Sequence, residues 1–182
     1  MQTFDMTNSL SLTSSLHSGA VLTAPECPPV TMRVKAIAGK ALGCFSQDIG
    51  EILISPIVWE TDLCTVKGVI YHEYAHHLQY VHSLQDGDTG WGNKLDHPVQ
   101  TQLFEKYKEL CAGFYASVNP VEMAAEAFAA LLVPHREKQS WSSDNEFLRD
   151  WLLFFLSQEG FKEFFPEGKD YCWFSQWLIT LP

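Results

Sequence analysis

The chain has 182 residues, 46 % hydrophobic and 19 % charged, and a formal net charge of −10. This length and composition fit one folded domain with a substantial core, not two full domains and not a disordered chain. The acidic balance, with no Lys/Arg cluster, argues against a nucleic-acid-binding surface, and no apolar run approaches the length of a membrane span.

In chain order, "MQTFDMTNSLSLTSSLHSGA" has neither a basic start nor a compact apolar segment, so no secretory signal is expected. That points to a cytoplasmic setting, with export by a non-classical route left open. Residues 1–29, rich in Ser and Thr and ending in "APECPP", read as a loosely ordered arm ahead of a single domain over 30–182. "VTMRVKAIAG" is compatible with a strand or a short helix. "ALGCFSQDIGEILIS" reads as a hairpin, two apolar stretches around the turn signal "SQDIG". Pro56 follows at once, and proline in a sheet favours edges, so "EILIS" is expected to be an edge strand. The five cysteines, Cys27, Cys44, Cys64, Cys111 and Cys172, are odd in number, scattered and without a CxxC pair. Reduced thiols are expected, not a thiolate zinc site.

Helices dominate the rest. Asp62 suits the N-cap of a helix reaching about Ser83, with Val66, Val69, Ile70, Tyr74 and Leu78 on its apolar face. "LQDGDTGWGN" is a loop, in which Asp86-Gly87-Asp88 reads as a turn before it reads as a calcium site. A second helix is expected over 99–115. Asn119-Pro120, an N-cap followed by proline at the first helical position, opens a third that stops before Pro134. A fourth starts near Ser143, spaced from Glu146 as in a capping box, and ends near Gly160. A hairpin followed by helices makes the class α+β.

The stretch "VIYHEYAHHLQYVH", residues 69–82, sets His72, Glu73, His76, His77 and His82 into an otherwise apolar helix. His72-Glu73-Tyr74-Ala75-His76 is an HExxH. Positions four apart share a helix face, so both imidazoles reach one ion, and Glu73 beside the first ligand reaches a water on the metal without binding the metal itself. The plainer alternative is a surface helix with histidines on its polar face. Against it stand the apolar neighbours and the cost of burying an unpartnered carboxylate. His77 falls a helical step off the ligand face and is expected to support a ligand or to face solvent. His82 has the spacing of a metzincin HExxHxxGxxH, but Gln79 stands where the glycine would be. Glutamine favours continuing the helix, which carries His82 away from the pair. It remains the alternative third ligand.

The stronger candidate lies in "NPVEMAAEAFAALL". Glu122 and Glu126 share a helix face, and alanines at 124, 125, 127, 129 and 130 allow close packing on another helix. A paired carboxylate at such a contact calls for a positive charge opposite. Glu122 can be the oxygen ligand, and Glu126 can accept from the non-ligating nitrogen of His72 or His76. Read singly, Glu122 is a capping-box residue at N3 and Glu126 belongs to a solvated face.

HExxH followed by this E-x-x-A-E-A-F resembles the gluzincin zinc metallopeptidases, most of all the anthrax lethal-factor type, over about residues 40–133. The resemblance implies a zincin-like α+β fold: a small, mostly antiparallel sheet with an edge strand beside the site, packed on the HExxH helix and a mainly helical C-terminal half. It implies Zn2+ held by His72, His76 and Glu122, with Glu73 as general base and Glu126 supporting a ligand. Tyr115, seven residues before Glu122, takes the place of that family's oxyanion-stabilising tyrosine. The implied activity is a zinc-dependent endopeptidase, with a protein or peptide substrate laid along "EILIS".

The competing reading is a catalytically silent zinc-site module acting in protein binding or regulation. A purely structural zinc would saturate its ligands, with His82 or His97 as the fourth. "WLLFFL" and "YCWFSQWLI" read as core, or, through Trp173, Phe174 and Trp177, as a docking surface for a protein partner. Cys27 is a minor candidate for a thiolate shielding the zinc.

Overall fold

Alternating apolar residues in short runs build the N-terminal part of the chain, and longer helical repeats build the rest. The structure, a computed structural model, describes residues 2–6, 19–25, 27–84, 97–133 and 141–165. Among these, five strands form one sheet in the order β1-β2-β3-β5-β4: β1 Gln2–Asp5, β2 Ala20–Ala24, β3 Cys27–Val34, β4 Gly43–Ser46 and β5 Glu51–Ile54. β1/β2 and β3/β5 are parallel, while β2/β3 and β4/β5 are antiparallel. The sheet is therefore mixed, not mostly antiparallel. The chain leaving β3 passes the position beside it, forms β4 on the outside and turns back, so that β5 lands parallel to β3.

Two expectations change here. The hairpin is present, but β5 is interior and β4 is the edge. Pro56 carried no edge signal, because the strand ends at Ile54 and Pro56 opens a short 3-10 helix, Pro56–Glu60. Nor is the stretch over 1–29 a loose arm where it is described. Gln2–Asp5, Ala20–Ala24 and the start of β3 are all paired strands. Ala20, Leu22 and Ala24 alternate inward with period two and are buried, a signal too short to stand out from the Ser/Thr-rich composition around it. Pro28 and Pro29 are tolerated because the β2–β3 ladder is irregular between Leu22 and Ala24.

α1 spans Leu63–Leu84, capped by Asp62, whose Oδ1 accepts from the backbone N–H of Cys64 (2.8 Å) and Thr65 (3.0 Å). α2 spans Pro98–Tyr107 and ends before the expected 115. The chain then turns through Gly113, at φ 85°, into a 3-10 turn over Tyr115–Ser117. α3 spans Pro120–Leu132, with Asn119 Oδ1 accepting from Glu122 N at 2.9 Å. α4 spans Asn145–Leu156, and its cap is Asp144, not Ser143: Asp144 Oδ1 accepts from Phe147 N at 2.8 Å.

α1 lies between the sheet and α3. Val66, Val69, Ile70, Tyr74 and Leu78 are buried as expected, and so are the five alanines of α3, whose small side chains let the two helices approach closely. α4 closes the core through Trp151, Phe154 and Phe155, with Phe155 stacked on Phe161 at 5.1 Å and edge-on to Phe128 at 5.4 Å. "WLLFFL" is therefore mainly core, with Leu153 and Leu156 exposed. Trp173, Phe174 and Trp177, and the Asp86–Asp88 turn, lie outside the described residues. No described helix is long and apolar enough to cross a membrane.

Candidate metal centre

The close α1–α3 contact brings three donor atoms to one point. His72 Nε2 and His76 Nε2 are 3.1 Å apart, and Glu122 Oε2 lies 3.1 Å from the first and 3.2 Å from the second. Four-residue spacing places the two imidazoles on one face of α1, edge to face with centroids 4.7 Å apart. Asn119 and Pro120 start α3 where Glu122 falls in its first turn. Among the described residues, His72, His76 and Glu122 form a group able to hold a metal ion.

The opposite ring nitrogens decide what these donors carry. Glu126 Oε1 lies 2.9 Å from His72 Nδ1, close in distance though off the line of a straight N–H···O bond. Gln79 Oε1 lies 2.8 Å from His76 Nδ1. Oxygen acceptors at these distances favour a proton on His76 Nδ1 and, less directly, on His72 Nδ1, which leaves lone pairs on the Nε2 atoms. Two nitrogen lone pairs and a carboxylate oxygen thus face one another at van der Waals contact or closer, an arrangement that calls for a cation. For comparison, donors about 2.0–2.1 Å from a common tetrahedral zinc stand roughly 3.3 Å apart. The residues fit such an ion.

The electrostatics agree. Burial alone would depress the His72 imidazolium, but the carboxylates of Glu122 and Glu126 outweigh it and push its pKa up to about 9. Burial would raise the Glu122 carboxyl, yet His72 and His76 hold it far below the usual carboxylate range. Without a metal, the group traps a proton in the cation's place.

Glu73, next to His72, lies outside this triangle and lines a cavity together with His72. The cavity, of about 470 Å³, has Lys40–Gly43 on one wall and Val69, His72, Glu73, Tyr115 and Glu126 on the other. Glu73 Oε2 accepts from Phe45 N on β4 at 2.8 Å. Burial pushes its carboxyl pKa up, against the pull of His72, His76 and the Phe45 N–H. β4 reaches this carboxylate only because residue 43 is glycine: a Cβ there would stand 2.6 Å from Glu73 Oε1 and 2.8 Å from Val69 Cγ1. Tyr115 is exposed at the cavity, its ring centroid 5.8 Å from that of His72. Burial first, and then the Glu122 charge, push its phenol up to about 12.

The chain matches no known family model, no curated protein and no solved structure at a significant level. The site is therefore read from its own residues. His72, His76, Glu122, Glu73, Tyr115 and Glu126 are brought together. The alternative ligand His82 is not: its Nε2–H donates to the Glu159 carbonyl at 2.6 Å and its ring stacks on Phe161, because α1 runs straight through Gln79. His97 is the N-cap of α2. His77 neither supports a ligand nor faces solvent. It is buried, and its Nε2–H donates to the Pro28 carbonyl at 2.9 Å. Cys27 Sγ packs where a Cβ on Gly160 would stand, away from the donor group. Cys44 is exposed on β4, and burial and the charges of Glu73 and Glu122 raise its thiol pKa, which disfavours a thiolate. Sequence reasoning missed Gln79 and Gly43. Gly43 acts on Glu73, thirty residues on, and Gln79, though one turn from His76, finds its second partner, Val121, only on another helix.

Proposed function

We propose that the chain is a zinc-dependent endopeptidase of gluzincin type, with His72, His76 and Glu122 as the metal ligands and Glu73 as the general base. One observation carries the reading: three lone-pair donors within 3.2 Å of one another, with a carboxylate outside the triangle in a cavity that one of them, His72, also lines. A structural zinc would be closed by a fourth protein ligand, whereas the described group has three donors and borders a cavity. That favours an enzyme over a silent zinc-site module.

A zinc ion, when bound, supplies Lewis acidity toward a carbonyl and toward water. Glu73, with Oε2 tied to Phe45 N, keeps Oε1 for a water in the cavity, takes its proton as it attacks the peptide carbonyl, and passes it to the leaving amine. A carboxyl pKa raised by burial suits both halves of that transfer. Tyr115 keeps its proton through the neutral range and donates to the oxygen that gains charge. Glu126 and Gln79 hold the ligand rings. The substrate strand is assigned to the β4 edge and not to Glu51–Ser55. The Leu42 carbonyl accepts from Ser55 N, so by alternation Gly43 and Phe45 direct their backbone groups away from β5. Phe45 N–H is held by Glu73, which leaves Gly43 and the Phe45 carbonyl for a peptide.

The test is elemental analysis with hydrolysis of a mixed peptide pool. Wild type should carry one zinc and cleave. His72→Ala and Glu122→Ala should lose the metal. Glu73→Gln should keep it and lose at least about 10²-fold in rate. Zinc without hydrolysis in wild type would favour the silent module. A Glu122→Ala protein that keeps its zinc would overturn the ligand set.

A further inference from the structure

Gln79 is fully buried on α1, one turn after His76, and both ends of its amide are engaged. Oε1 lies 2.8 Å from His76 Nδ1, and Nε2 donates to the Val121 carbonyl at 3.2 Å. Val121 immediately precedes Glu122 in the first turn of α3. The amide therefore touches a ligand on one helix and the backbone next to a ligand on the other. We infer that Gln79 is a positioning residue that fixes the tautomer of His76 and ties it to the placement of Glu122.

The orientation of the amide is dictated from α3. A carbonyl accepts only, so Val121 demands the NH2 end of Gln79 and turns Oε1 toward His76. An acceptor at Nδ1 requires Nδ1–H, and Nδ1–H leaves the Nε2 lone pair free toward His72 and Glu122. The flipped amide would set two oxygens against each other at Val121 and present N–H to Nδ1. That would move the ring proton to Nε2, where it would block the metal. The backbone of α3 thus selects, through one side chain, the metal-competent form of a histidine on α1. His72 receives the same service from a charged partner, Glu126, at 2.9 Å. Using a neutral amide at the second ring avoids a further buried negative charge beside Glu122 and Glu126.

This inference rests on the metal-centre reading, and its test separates the two. Zinc affinity of the full-length protein is measured by chelator competition for wild type, Gln79→Met and Gln79→Glu, with thermal melts of each. Methionine preserves the volume but offers no oxygen acceptor, whereas glutamate keeps an oxygen on Nδ1. The expected result is one zinc per chain in wild type, affinity about 10- to 100-fold weaker in Gln79→Met, and at most partial recovery in Gln79→Glu, which restores the acceptor on Nδ1 but loses the donor to Val121. In the zinc-loaded protein, imidazole 15N shifts should show His76 with its proton on Nδ1. If the methionine variant binds zinc like wild type, or the 15N shifts place the His76 proton elsewhere than on Nδ1, the tautomer role is wrong while the metal centre stands. If wild type takes up no zinc, both fall.

Discussion

Gly43→Ala separates steric from conformational effects at the proposed base. Gly43 does not have a positive φ, so alanine is free of backbone strain there. In a strand that exchange normally adds about 0.5–1 kcal/mol of stability. The added methyl, however, would stand 2.6 Å from Glu73 Oε1, 2.7 Å from its Cγ and 2.8 Å from Val69 Cγ1. Ordinary carbon contacts are about 3.5–4.0 Å, so the carboxylate must withdraw by roughly 1 Å. That breaks the 2.8 Å bond from Phe45 N and leaves a buried carboxylate without its donor, at a cost of about 1.5–3 kcal/mol. The second effect wins, and a net loss of about 1–2 kcal/mol in unfolding free energy is expected. The methyl meets Glu73 and Val69 and not the three donors, so zinc content should stay at the wild-type level. Displacing the base by this distance should lower hydrolysis about 10²-fold. Urea unfolding, metal analysis and a quenched-peptide assay read the three consequences. An alanine variant as stable and as active as wild type would refute the close packing of β4 on Glu73.

Tyr115→Phe should retain zinc and lower turnover about 10²-fold, measured at saturating peptide. An unchanged turnover would reduce Tyr115 to a lining residue. Removing the metal should destabilise the protein: relative to chelator-treated samples, free zinc at one hundred times its Kd should add about 2.7 kcal/mol to unfolding, read as a concentration-dependent melting temperature. Asp150 gives a pH prediction away from the site. Burial would raise its carboxyl pKa, but Lys106, Tyr107 and Arg149 hold it below the usual range. A depressed folded value contributes stability above the unfolded pKa and loses it as pH falls through the folded one. Asp150→Asn should therefore cost about 1 kcal/mol near pH 7, after screening, and progressively less as the pH falls toward 2. Equal losses at both pH values would count against the ion pairs.

The features legible in the chain alone are those set within one or two helical turns. Four-residue spacing put His72 beside His76, and Asp62 and Asn119-Pro120 started their helices where backbone N–H groups needed acceptors. The run of alanines announced a close helix contact. These signals are local because hydrogen bonding in a helix is local. Packing decided the rest. Strand order, and hence that β4 and not β5 is the edge, depends on where a hairpin lands beside β3. The pairing of Ala20–Ala24 depends on neighbours remote in sequence. Gln79, which read only as a residue that lets α1 continue, gains a partner in Val121 when α3 docks. The chemistry of the candidate site was written in residue types and spacing. Its tautomers and close approaches arise only when buried polar atoms on different elements are forced to satisfy one another.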